Sequence, residues 1–152
     1  MKNLLIAIKS KAGADPGSDL YGAIADRFYF YQPPQEAAFP YIVFTVVDEL
    51  NEKNFDNDPE YGVWRIQMSI YSNDESAVEV LNIYEYLKDV FDDCSMAPTN
   101  YTFYGFTRNH TTFYKNPMTG IWQLNVDYIL QASVDNAAAG GSVFPYTLPF
   151  TL

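Results

Sequence analysis

Apolar positions along this chain switch between helical and strand periods, and each switch marks an element. Leu4, Leu5 and Ile8 recur at helical spacing with Lys2, Lys9 and Lys11 outside them, which predicts a short amphipathic helix. Gly13 and Asp15-Pro16-Gly17 end it. Ser18 is placed to cap a second helix in which Leu20, Ile24 and Phe28 share one face. Pro33 and Pro34 can neither continue a helix nor pair within a sheet, so the Gln32–Gln35 stretch closes that element.

Strand-like runs follow. Tyr41 to Glu49 is rich in β-branched residues and apolar on both faces. Between Val63 and Tyr71, Trp64, Ile66, Met68 and Ile70 alternate with Arg65, Gln67 and Ser69, a period-two pattern with one dry and one wet face. Tyr101 to Tyr114 is aromatic and Thr-rich, and Gly105 and Arg108-Asn109 interrupt it as a bulge or bend would. In Ile121 to Gln131 the positions Trp122, Leu124, Val126, Tyr128 and Leu130 face one side, with Gln123, Asn125, Asp127 and Gln131 opposite. Asn116 to Gly120 is the turn that makes a hairpin of the last two runs.

The strongest helical pattern lies between the second and third strands. Ser72 and Glu75 have capping-box spacing, and Val80, Ile83, Tyr84, Leu87, Val90 and Phe91 then form one face. Asp92 and Asp93 oppose the helix dipole and should stop the helix there. This order predicts an α+β domain over residues 1–133, with a mostly antiparallel four-stranded sheet and helices packed on one face. An extended C-terminal arm, 134–152, follows it.

The arm differs in kind. Lys115 is the last basic residue and Asp135 the last charge. Asn136 to Ser142 has the composition of a flexible joint, and Val143 to Leu152 is apolar and aromatic, stiffened by Pro145 and Pro149. Disordered tails are normally polar. An apolar peptide on a hinge therefore calls for a surface to dock on, either its own domain or a neighbour. Phe144, Tyr146 and Phe150 are its candidate anchors on an adjoining subunit.

Composition adds to this picture. Thirteen Tyr and eleven Phe exceed what a small core needs, which points to contacts between subunits or to a Tyr-rich sheet surface. Nineteen acids against nine bases give a net charge of −10, which argues against a broad grip on DNA backbone. One cysteine, Cys94, implies no internal disulfide and no oxidising compartment. The apolar run near the N-terminus is closed by Lys9 and Lys11, shorter than a secretory core, and no stretch approaches membrane-spanning length.

The usual catalytic sets are missing. His110 is the sole histidine, so a nucleophilic triad would have to use it, and its surroundings are those of an ordinary strand. One His and one Cys cannot make a zinc site, and no phosphate-cradling glycine motif occurs. The acid-rich stretch from Asp48 to Glu60 fails as an EF-hand, because Tyr61 stands where glycine is required and Gln67 where the closing Glu belongs. It reads as a solvated loop, and Glu52, Asp56 and Asp58 are the residues that would present charge to a channel if copies formed a ring. The expectation is a non-enzyme without cofactor or metal.

Pro33-Pro34-Gln35 followed by Phe39-Pro40-Tyr41-Ile42-Val43-Phe44 resembles the tail-terminator, or tail-completion, proteins of long-tailed bacteriophages. The order of the later elements is similar too, across roughly residues 1–133. The resemblance implies a virion protein of the tail or neck, assembled in the host cytoplasm. It implies a homo-oligomeric ring, commonly hexameric, that ends the tail tube and joins it to the head connector. Its partners would be the tube and connector proteins, with DNA passing through the lumen without sequence-specific binding and no membrane involved. The uncharged arm is not a fixed feature of that family. Another tube, neck or connector subunit, or an aromatic glycan- or protein-binding module, stays open as the alternative.

Overall fold

A computed structural model describes residues 1–52 and 61–135. It is an α+β fold built on one open sheet. The elements are α1 (Lys2–Ala12), α2 (Asp19–Ile24), β1 (Phe28–Phe30), β2 (Tyr41–Glu52), β3 (Tyr61–Ser72), α3 (Val78–Phe91), β4 (Tyr101–Lys115) and β5 (Trp122–Val134).

The sheet has five strands in the order β1-β2-β3-β5-β4, and β1 runs parallel to β2 while every other pair is antiparallel. The expected four-stranded antiparallel sheet is thus corrected to a five-stranded mixed one. The added strand begins at Phe28, which helical spacing alone places on the face of α2. That helix ends at Ile24, where Ala25 turns to φ 53°, and the chain re-enters as an extended strand. Ser18 does cap it, its side chain accepting from the Tyr21 amide.

The start of α3 also differs from expectation. Ser72 stays in β3, fully buried, and its hydroxyl donates to Glu79 Oε1 at 2.6 Å while accepting from the Asp74 amide. The helix begins at Val78 after an uncapped Ala77. Ser72 is therefore a strand-to-helix clasp. The far end falls at Phe91, as the acidic pair predicts.

Strands β3 and β5 follow their period-two patterns closely, each burying alternate residues. Two register shifts in β4, at Phe103/Gly105 and Arg108/His110, are the expected bulges. The predicted turn forms with Asn116 Oδ1 accepting from the Met118 amide and Gly120 at φ 71°. β2 runs past Glu49 to Glu52, so Asp48 and Glu49 belong to a strand and Asp48 faces Arg65 across the β2–β3 ladder at 3.9 Å.

The core lies between one face of the sheet and the helices, which contribute Leu4, Ile8, Leu20, Ile24, Val80, Ile83, Leu87 and Phe91. A spine of rings crosses it from β1 to β4. Phe28 stacks on Phe44 (4.8 Å) and Phe91 (5.9 Å), Phe91 meets Phe106 (5.7 Å), and Phe106 stacks on Tyr128 (4.6 Å). Part of the chain's aromatic surplus is spent here. Gly62 is required in the same layer, because a Cβ there would lie 2.3 Å from Cη2 of Trp64.

Candidate assembly surfaces

What lies outside the core divides into an uncovered sheet face, two unlike edges and a groove. On the uncovered face the register places residues in transverse rows: Tyr41, Tyr71, Gln123 and Tyr114; then Val43, Ser69, Asn125 and Thr112; then Thr45, Gln67, Asp127 and His110. These rows are cross-linked. Ser69 Oγ donates to Asn125 Oδ1 at 2.7 Å, Asn125 Nδ2 to Thr112 Oγ1 at 3.2 Å, Gln123 Nε2 to Asn125 Oδ1 at 2.9 Å, and Gln67 Nε2 to Asp127 Oδ1 at 3.2 Å. Tyr41 and Tyr71 stack on each other at 5.1 Å. Burial pushes both phenols above their ordinary pKa. The face is hydrogen-bonded and neutral in most of its side chains, and its paired tyrosines turn their rings toward each other.

The two sheet edges contrast. β4 is long, and from Thr107 to Lys115 every residue is exposed except the half-buried Thr111. Tyr104, Phe113 and Tyr114 are 58%, 43% and 48% exposed along it. A long exposed edge strand is a template for association. β1 is short and most of its outer backbone is already engaged. The Phe28 amide donates to Asp26 O, the Phe30 carbonyl accepts from the Gln32 amide, and the Phe28 carbonyl accepts from Lys9 Nζ. A lysine over an edge strand blocks strand addition. Burial against the Phe28 and Tyr29 rings pushes the Lys9 ammonium below its ordinary pKa.

Between α1 and β1 this arrangement leaves a groove of 660 Å³ whose walls include Met1, Leu5, Ile6, Lys9, Phe30 and Phe44. Its rim is apolar and open to solvent: Ile6 is 51% exposed and Phe30 48%. The helical pattern of α1 did not reveal this groove, because it needs β1. The aromatic run Phe28-Tyr29-Phe30 is the signal in the sequence that would have found it.

A polar network holds the end of α3 to the sheet. Asp92 accepts from the Tyr128 hydroxyl at 2.7 Å and from Arg108, whose Nη2 lies 3.1 Å from Oδ2. Arg108 also donates to the Tyr84 hydroxyl at 2.9 Å. Desolvation and the neighbouring Asp92 push the Tyr128 phenol well above its ordinary pKa. One carboxylate thus takes donors from two side chains, Tyr128 and Arg108.

The residues singled out in the sequence fall largely elsewhere. Phe144, Tyr146 and Phe150 lie outside the described residues, as do Asp56 and Asp58. Glu52 ends β2, where its backbone pairs with Tyr61. His110 sits exposed in β4 opposite Asp127. Among the described residues no cluster of His, Cys, Asp and Glu is arranged to hold a metal, and no helix is long and apolar enough to cross a membrane.

No family model matches the sequence, and no curated protein matches it. The fold, however, has a solved counterpart. A chain in the structure titled "Virion of native gene transfer agent (GTA) particle" superposes with a TM-score of 0.71 at 12% identity, over 86% of this chain and 94% of that one. The two share a fold.

Proposed function

We propose that this protein is a structural virion subunit of a phage-like particle, one that forms a ring, hexameric in the simplest case, at the end of the tail tube. The ring stops tube growth and joins it to the head connector, and DNA passes through its lumen. The observation that carries this reading is the fold shared with a chain of a virion particle, over nearly the whole length of that chain. The tail-terminator resemblance around Pro33-Pro34-Gln35 and Phe39-Pro40-Tyr41 supports the finer position. Surface chemistry supports the ring itself, since a cyclic assembly needs two different complementary patches on each subunit and the two sheet edges differ in length, exposure and closure.

In this reading Phe144, Tyr146 and Phe150 anchor the arm on an adjoining subunit, and Glu52, Asp56 and Asp58 give the channel a negative lining that DNA does not stick to. The protein acts by assembly, with no catalytic step. Negative-stain electron microscopy of the purified protein tests it. Closed rings with a central hole are expected, alone or on addition of tail tubes; a strict monomer at high concentration that leaves tubes uncapped overturns the reading. The triple substitution Glu52→Gln, Asp56→Asn, Asp58→Asn tests the lining: folding should be spared and DNA retention impaired, and unchanged infectivity removes the lining role.

A further inference from the structure

We infer that the groove between α1 and β1 is the acceptor for the aromatic arm, residues 143–152, of an adjoining copy. The inference rests on the ring reading for its choice of a neighbouring donor. Three features of the molecule lead to it.

The first is where the arm departs. β5 delivers the chain to Asp135, whose amide donates to Asn100 O and whose carboxylate accepts from Thr102, so the arm leaves beside the start of β4. The groove lies along β1, at the opposite edge of the sheet. Donor and acceptor on opposite edges are what a head-to-tail ring requires, because each subunit then gives an arm on one side and receives one on the other. Seven positions, 136–142, separate Asp135 from the aromatic segment, and seven residues reach at most about 25 Å, enough to cross an interface.

The second is the chemistry of the groove. Its walls are apolar, yet the backbone edge beside it is closed by Lys9, Asp26 and Gln32. An occupant must be recognised through side chains, since the edge offers little to a pairing strand. A segment interrupted by Pro145 and Pro149 has lost donors that a ladder would need, and it carries Phe144, Tyr146 and Phe150 as ring-sized anchors.

The third is charge. The arm beyond Asp135 has no side-chain charge. It can enter a site whose partly desolvated Lys9 is already satisfied by main-chain carbonyls without leaving an ion unpaired.

Cross-linking between two variants tests this, in a Cys94→Ser background that removes the native thiol. One variant carries Ile6→Cys on the groove rim, the other Tyr146→Cys on the arm with an added mass tag, and a short bismaleimide is applied to the mixture. Val78→Cys, on an exposed residue of α3, replaces Ile6→Cys in the control. A mixed dimer is expected at about tenfold the control yield, from the effective concentration of a docked arm. A doubly substituted chain, Ile6→Cys with Tyr146→Cys, reads the other possibility. A cyclised monomer without mixed dimers means the arm seats on its own domain and overturns the inference, as does a yield equal to the control. Ring formation is scored separately by microscopy on the uncross-linked sample. Rings without the cross-link sink the acceptor assignment alone; the mixed dimer without rings keeps the acceptor and sinks the ring. As a second measurement, Ile6→Glu should change the melting temperature little and reduce assembly, because about half of its surface is open to solvent in the single subunit.

Discussion

The two faces of the sheet are made from the same strands and do different work. On the covered face, alternate residues of β3 and β5 are almost wholly removed from water and meet a spine of rings under α3. On the uncovered face, the residues between them form hydrogen-bonded rows that keep partial contact with solvent. Period two makes this division unavoidable, since neighbouring side chains in a strand point to opposite faces. A residue's weight in stability should therefore follow its parity along a strand. Substitutions on the covered face should cost far more stability than those on the other.

The largest effect is expected at the centre of the covered face. Phe91→Ala removes the ring that touches Phe28, Phe106 and Tyr128 together, and should cost about 3–5 kcal/mol in denaturant unfolding. A loss under about 1 kcal/mol would mean that the ring spine does not hold the covered face together. Next comes Asp92→Ala, which strips the Tyr128 hydroxyl and Arg108 of their shared acceptor. About 2–3 kcal/mol is expected, mostly from the Tyr128 donor left unpaired, since the Arg108 pair is partly solvent-screened.

Tyr128 also gives the covered face a pH signature. Its folded pKa is raised, so the neutral phenol is favoured in the native state and its contribution is fully present below the ordinary value near 10. Stability should fall as pH rises above that value, because the unfolded phenol ionises while the folded one does not. Tyr128→Phe should flatten this alkaline limb of the unfolding curve. An unchanged slope in the Phe variant would assign alkaline instability to other groups.

How much of this was legible in the sequence follows the range of the interactions involved. β3 and β5 could be read from Trp64-x-Ile66-x-Met68 and Leu124-x-Val126-x-Tyr128, because each pattern is complete within one strand. The β4 bulges were legible at Gly105 and Asn109 for the same local reason. β1 was not. Three residues carry no period, and Phe28-Tyr29-Phe30 becomes a strand only by pairing with Ile42-Val43-Phe44. Ser72 misled because a capping box and a strand-end clasp share a serine followed by acids, and only the fold decides that Glu79 rather than Glu75 reaches it. The groove inherits the invisibility of β1. The arm residues and most of the acidic stretch stand out by composition alone, and they lie outside the described residues.

The smallest effect on folding should come from the exposed half of β4, a strand that contains both buried and solvent-facing positions. Phe106 is fully buried, while Tyr114, eight positions on in the same strand, is 48% exposed and spends its hydroxyl on Gln123. Tyr114→Ser removes an exposed ring and one solvent-accessible hydrogen bond, so its cost to stability should stay within about 0.5 kcal/mol. The same substitution thins the aromatic edge that β4 offers to a neighbour, and buried aromatic anchors commonly dominate such contacts. The expected result is an unchanged unfolding midpoint with a shift from rings toward single subunits in sedimentation velocity. If Tyr114→Ser lowers the midpoint as much as Asp92→Ala does, the exposed half of β4 belongs to the folding unit after all. If it leaves both folding and assembly untouched, the subunit contact must be sought on the groove side alone.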